Sequence, residues 1–158
     1  MEMLAVLAIT SLIGLVVAMA NMQIMNQSSD NSNFNAGSRN TLNALHWISR
    51  DIQMAQSVNG TDGFPQTENL VLSWQAWDNT IYSANYTVVN GELTRTYTIN
   101  GSNPVVNVVA EYINTAEDKT YCSVTEGVVI LTITSTVGEG SKAVDVTKVH
   151  EITSRPNL

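Results

Sequence analysis

His46, His150 and Cys122 are the side chains best suited to metal binding or nucleophilic chemistry, since the chain has two histidines and one cysteine. A structural zinc site needs several such ligands at short, regular spacing. Neither histidine stands at ligand spacing from the other or from Cys122, so both are read as structural residues. A thiol becomes a nucleophile when a neighbouring cation lowers its pKa. No recognisable motif sets a His or Lys beside Cys122, which reads as a small buried or half-buried residue in a strand or loop. A lone cysteine also excludes an intrachain disulfide. Asp62 in "NGTDGF" and Glu117-Asp118 in "NTAEDK" lack the spacing of a calcium-binding loop and read as solvated turns. Trp74, Trp77 and Tyr82 read as core or edge packing around a strand. With no Ser/His/Asp set, phosphate-cradling glycine loop or paired catalytic carboxylates, the chain is not expected to be an enzyme or to hold a cofactor or metal.

One further titratable group stands in an unusual position. Glu2 heads the run "MLAVLAITSLIGLVVAMA", apolar from Met3 to Ala20 except for Thr10, Ser11 and Gly14. About 18 residues at ~1.5 Å rise just reach across a hydrocarbon layer as a helix. A core helix of a globular domain would keep a polar face, and this run keeps none. A secretory signal begins with basic residues and ends at a small-residue cleavage site. Here the start is acidic and no such site follows Ala20, so the segment is expected to stay in the mature protein. A carboxylate costs roughly 2.5–3.5 kcal/mol at a bilayer centre and less near an end. A plain anchor has no use for it. A helix that packs against copies of itself does, because Glu2 can then neutralise the α-amino group at Met1 of a neighbour.

The sequence "EMLAVLAITSLIGLVVAMA" resembles the N-terminal helix of type IV pilins and of the pseudopilins of type II secretion. In that family a prepilin peptidase cuts before a short segment that carries a glutamate, and an apolar helix follows. Glu2 matches that glutamate, with Met1 alone before it in place of the usual Phe-Thr-Leu. The resemblance implies a helix held in the cytoplasmic membrane as a single pass, then moved into the core of an extracellular filament at the cell surface. It also implies partners: copies of the chain or other pilins, the pilus assembly machinery and the peptidase. Met1 and Glu2 become assembly residues, and Leu4, Leu7, Leu12, Gly14, Leu15 and Val16 line the filament-core helix. Further along, "HWISRDIQMAQ", with its Arg-Asp pair, and Gly91-x-Leu93-x-Arg95 fall in the order seen in minor pilins and J-type pseudopilins.

The remaining elements follow from periodicity. Residues 1–25 form the apolar helix, and residues 26–158 the globular part. Leu42, Leu45, Ile48, Ile52 and Ala55 mark one stripe of an amphipathic helix over about 41–56. Phe34 and Ser38 fit the same register, so one long helix is expected to about Gln56, weakest from Gln27 to Arg39. From about 69 to 153 the period is two. "NLVLSW", "TIYSANYTVV", "ELTRTYTI", "VVNVVAEYI", "GVVILTITSTV" and "AVDVTKVHEIT" read as strands, with Asn90-Gly91 a hairpin turn. In "GVVILTITSTV", Val129, Leu131, Ile133 and Val137 share one face and Thr132, Thr134 and Thr136 the other, the pattern of a half-buried antiparallel strand. The fold class is α+β, a long helix packed on an antiparallel meander.

The surface fits an exposed position. Charged residues are 13% and the formal charge is −7, while Asn, Ser and Thr make up roughly 30% of the chain. No Lys/Arg run exists in the sequence, which argues against nucleic acid as a partner. Four Asn-x-Ser/Thr sequons, at Asn26, Asn59, Asn85 and Asn100, are candidate glycosylation sites. The expected function is a structural filament subunit. A type II secretion pseudopilin is the alternative within the class, and a monomeric membrane-anchored adhesin or sugar-binding domain the alternative outside it.

Overall fold

The computed structural model describes residues 2–125 and 128–154, without the side chains of Glu2, Leu4, Ala5, Val6, Ala8, Ile9 and Ser141. Helix α1 runs unbroken over Glu2–Met54, 53 residues, about 80 Å at 1.5 Å per residue. Eight strands follow: β1 (Ser57–Asn59), β2 (Leu70–Gln75), β3 (Ile81–Val89), β4 (Glu92–Ile99), β5 (Ser102–Ala110), β6 (Tyr121–Thr125), β7 (Val128–Val137) and β8 (Val144–Thr153). The architecture is α+β, as the change of hydrophobic period implies. The meander, however, is divided. Strands β1 to β5 form one antiparallel sheet in chain order, and β6 to β8 form a second. A single bridge, Ile113 to Ser135, ties the end of the first sheet to the second.

The turns explain the strand pairing. Asn90 and Gly91 both take positive φ, 51° and 79°, as a two-residue hairpin whose twist matches its strands requires. Asn100 and Gly101 repeat this between β4 and β5, with φ of 49° and 69°. The second turn carries the same Asn-Gly signal as the first. Asn100 also caps the neighbouring strand, its Oδ1 accepting from the Ile81 amide at 2.8 Å.

The helix is anchored by its second half. Ala44, Leu45, Ile48, Ile52 and Ala55 are buried against Leu70, Leu72, Leu93, Leu131 and Ile133. Two sequence readings are corrected here. Leu42 is 52% exposed and Phe34 likewise 52% exposed, because the inward stripe is Gly37, Thr41, Ala44/Leu45, Ile48 and Ile52, one position away from them. Gly37 permits that register: a Cβ there would stand 3.0 Å from the Val146 side chain. Thr41 is buried, donating from Oγ1 to Ser135 Oγ at 2.9 Å or to the Val146 carbonyl at 3.1 Å.

The second correction concerns β7, which is buried on both faces. Val129, Leu131 and Ile133 meet the helix, while Thr132 and Thr134 lie buried on the far side. The chain at 119–120 folds over that side. Thr134 Oγ1 donates to the Lys119 carbonyl at 2.6 Å, and the Thr134 amide donates to Thr120 Oγ1 at 3.1 Å. Thr134 is thus satisfied on the covered side, as buried polar groups generally are, whereas the buried Thr132 hydroxyl has no hydrogen-bond partner.

The first half of α1 leaves this body. Every residue from 10 to 28 is exposed, and the tertiary hydrogen bond nearest the N-terminus among the described residues joins Lys142 Nζ to Asn26 Oδ1 at 3.1 Å. Deleting residues 1–25 is therefore expected to leave a soluble domain. A single cooperative transition in thermal circular dichroism is the expected result. A molten or aggregated product would show that the N-terminal segment contributes to its own subunit's core.

Candidate functional site

The most exposed apolar surface of the molecule lies on the projecting helix. Eleven large apolar side chains between Met3 and Met25 are more than half exposed, among them Leu7 (67%), Leu12 (68%), Leu15 (56%) and Val16 (57%). Exposed apolar patches of this extent mark interaction surfaces rather than ordinary surface. Leu12, Ile13, Leu15, Val16 and Val17 are spread around much of the helix circumference at 100° per residue, so one flat partner could not cover them. Around Gly14 the space is open, with no atom within 4 Å of where a Cβ would be. Among the described residues, no helix is long and apolar enough to cross a membrane. The sequence run Met3–Ala20 includes five residues whose side chains lie outside that description. Met1 and the side chains of Glu2 and Leu4, expected from the sequence to serve in assembly and the filament core, also lie outside the described residues. The backbone at Glu2 is helical.

What fixes the helix to the body is a buried ion pair. Asp51 on α1, Tyr86 on β3 and Arg95 on β4 converge, Tyr86 and Arg95 being direct cross-strand partners. Asp51 Oδ2 accepts from Tyr86 OH and from Arg95 Nε, both at 2.6 Å, and Oδ1 accepts from Arg95 Nη2 at 3.1 Å. All three residues are buried. The guanidinium lies between two rings, 5.2 Å from the Trp47 centroid and 4.6 Å from that of Tyr97, a geometry that adds cation–π attraction. Burial works against the charged guanidinium, but the hydrogen bonds and charge of Asp51 together outweigh it and raise Arg95 above its ordinary pKa. Burial, then the Asp51 charge, pushes the Tyr86 hydroxyl far up, so it stays a donor. The pair is a clamp between helix and sheet.

The other sequence candidates are dispersed. Trp74 stacks on Tyr82 at 5.8 Å, and Tyr82 on Tyr97 at 6.1 Å, at the end of the sheet's inner face. Trp77 departs from the packing expected of it: it is fully exposed in the turn before β3. Asp62, Glu117 and Asp118 are exposed, and among the described residues no group of His, Cys, Asp and Glu is assembled for a metal. His46 and His150 lie in one groove between α1 and β8, a proximity their sequence separation hides. Of the sequons, Asn26, Asn59 and Asn100 are exposed, whereas Asn85 is half-buried in the middle of β3.

Cys122 is buried, and burial, with a smaller contribution from the Asp62 charge, pushes its thiol up to about 12. The thiolate fraction at neutral pH is then negligible. The native protein is expected to resist a thiol reagent such as DTNB at pH 8 and to react fully in denaturant. Rapid labelling of the folded chain would mean that β6 opens readily.

A second exposed apolar surface lies on β5, the edge of the larger sheet, where Val105, Val106 and Val108 are 53–60% exposed. Residues 102–110 include no charge, although edge strands commonly carry one as protection against pairing. No protein-family model matches the chain, and neither a curated protein nor a solved structure is significantly similar to it.

Proposed function

We propose that the chain is a structural subunit of an extracellular type IV pilus-like filament, polymerising through the N-terminal half of α1. The observation that carries this reading is the division of the helix. Its second half is locked to the sheets by a core and a buried ion pair, while its first half projects with apolar side chains uncovered. Water does not tolerate such a helix alone: each large apolar side chain gains about 1.5–3 kcal/mol on burial. Copies of the same helix supply cover on several sides, which a single partner does not. Ser11, Gly14 and Ala18, at i, i+3 and i+7, leave small residues where a neighbour's backbone can come close.

In this reading the apolar run resides in the cytoplasmic membrane before assembly, and helix packing then replaces lipid. Glu2 offsets the amine of a neighbouring subunit at the packed helix ends. The uncharged valine edge of β5 adds a lateral surface in the globular layer. The projecting helix equally fits the short pseudopilus of a secretion system, which uses the same packing.

Electron microscopy of surface filaments, with mass spectrometry of the purified material, tests the proposal. Filaments consisting mainly of this chain are expected. Glu2→Ala should leave a membrane-resident, folded protein but few filaments. Normal filament numbers in that variant would remove the pairing role of Glu2, and absence of filaments containing the wild-type chain would overturn the proposal.

A further inference from the structure

The groove between α1 and β8 collects positive charge on an otherwise acidic protein. It has a volume of about 580 Å³, with Leu42 and Leu45 as its apolar part. His46, Arg50, Lys148 and His150 stand around them, so both histidines and two of the seven lysines and arginines meet here. His150 Nδ1 is 2.9 Å from Ser49 Oγ, which ties the strand side of the groove to the helix side. Among the described residues neither Arg50 nor Lys148 has an ion-pair partner, whereas Arg95 pairs with Asp51 and Lys119 with Asp145. Leu42 is 52% exposed, so the groove lacks cover for its apolar part and counter-charge for its rim.

The complement lies on the opposite side of the same small sheet. The segment after β5 runs along the side of β7 away from β8, held by the Ile113–Ser135 bridge and by the Asn114 amide donating to the Thr134 carbonyl at 2.9 Å. The loop it then forms presents Glu117 and Asp118. The loop between β1 and β2 lies against it, with Gln66 Nε2 donating to the Thr115 carbonyl at 2.9 Å. That second loop presents Asp62 and Glu68, and all four acidic residues are exposed. Groove and acidic loops stand at the same level along the strands. Lys148 and His150 pair with Ile133 and Leu131 of β7, whose other side carries Tyr121 and Cys122, opposite Thr132 and Leu131. Two strand spacings, about 10 Å, separate the outer strands.

Complementary patches on opposite sides of one body cannot satisfy each other within a subunit. Placed between copies they give a head-to-tail contact that leaves a free groove at one end and free acidic loops at the other, and such a contact propagates. We infer that the α1/β8 groove is the docking site for the acidic loops, residues 60–69 and 114–120, of a second copy of this chain. The inference rests on the filament reading for its setting and assigns the contact that orders the globular domains. Charge complementarity sets orientation and excludes wrong neighbours, while the apolar side chain of Leu42 holds what the charges steer.

A photoreactive benzoylphenylalanine placed at Leu42 of the full chain, in the cells that make it, tests the contact. The expected product is a dimer whose linked peptide contains residues 60–69 or 114–120. Combining the probe with Arg50→Glu and Lys148→Glu should lower its yield about tenfold or more, since like charges then face each other. Adding Glu117→Lys and Asp118→Lys should restore it. Both groove cations are exposed, and protection of Cys122 in the extracted variants reports that they are folded. No self-linked product, a link elsewhere, or a yield indifferent to reversal in folded variants would overturn the inference. Filaments counted in the same cells separate the two claims. Filaments without this link remove the groove contact alone, and the link without filaments removes the filament reading alone.

Discussion

Replacing Arg95 with methionine is expected to destabilise the folded domain by about 3–5 kcal/mol, the range for removing one partner of a buried ion pair. Asp51 would be left fully buried with Tyr86 OH as its sole remaining donor. Trp47 and Tyr97 would lose the guanidinium that lies between their rings. The carboxylate must then either stay charged without compensation or take up a proton, and both cost free energy. Asp51→Leu combined with Arg95→Met should recover much of the loss, because an apolar pair of similar volume removes the orphaned charge along with its partner. Tyr86 OH stays unpaired in that double variant, which keeps a residual cost of about 1–3 kcal/mol. Urea unfolding of the domain lacking residues 1–25 measures all three. A single variant within 1 kcal/mol of the parent, a tolerance set by the usual spread of surface substitutions, would show that the clamp does not hold helix to sheet.

The second large effect is on assembly. Val16→Glu is expected to abolish filaments while leaving the domain's unfolding midpoint unchanged. Val16 is 57% exposed, within a stretch whose residues from 10 to 28 are all exposed, so the fold of the subunit does not depend on it. In a dry bundle of helices the new carboxylate costs roughly 2.5–3.5 kcal/mol near the apolar centre, and every subunit bears that cost again. Val16→Leu keeps the surface apolar and should keep filaments. Counting filaments by electron microscopy, with the membrane fraction blotted in parallel, reads both variants. Wild-type numbers with glutamate at position 16 would mean that this part of the helix faces water in the assembled state.

Much of the molecule was legible from periodicity alone. An apolar run with no polar face, followed by a helical stripe and then alternating strands, determined the long helix, the α+β class and the existence of an uncovered surface. These features depend on residues near one another in sequence, and helix and strand periods are local properties. Asn90-Gly91 places a turn for the same reason, and Asn100-Gly101, which is also a sequon, carries an equal signal. Where a stripe met a tertiary surface, one-residue errors appeared. Leu42 and Phe34 fit a helical period as well as Gly37 and Thr41 do, and only the approach of Val146 to Gly37 selects the buried register.

Tertiary structure alone decided what depends on distant segments meeting. The burial of Thr134 on the second face of β7 goes with its hydrogen bonds to residues 119–120, which the alternation of the strand does not encode. Arg50-Asp51 and Arg95 were visible as separate charged positions. That Asp51 turns to Arg95 and Tyr86, while Arg50 faces a groove with Lys148 and both histidines, results from the helix crossing two sheets at once. The sequence has no basic run, yet the fold makes a basic groove, because charges nearly a hundred residues apart, Arg50 and Lys148, come together on adjacent elements. Charge sign and number are fixed by composition; charge concentration is fixed by packing.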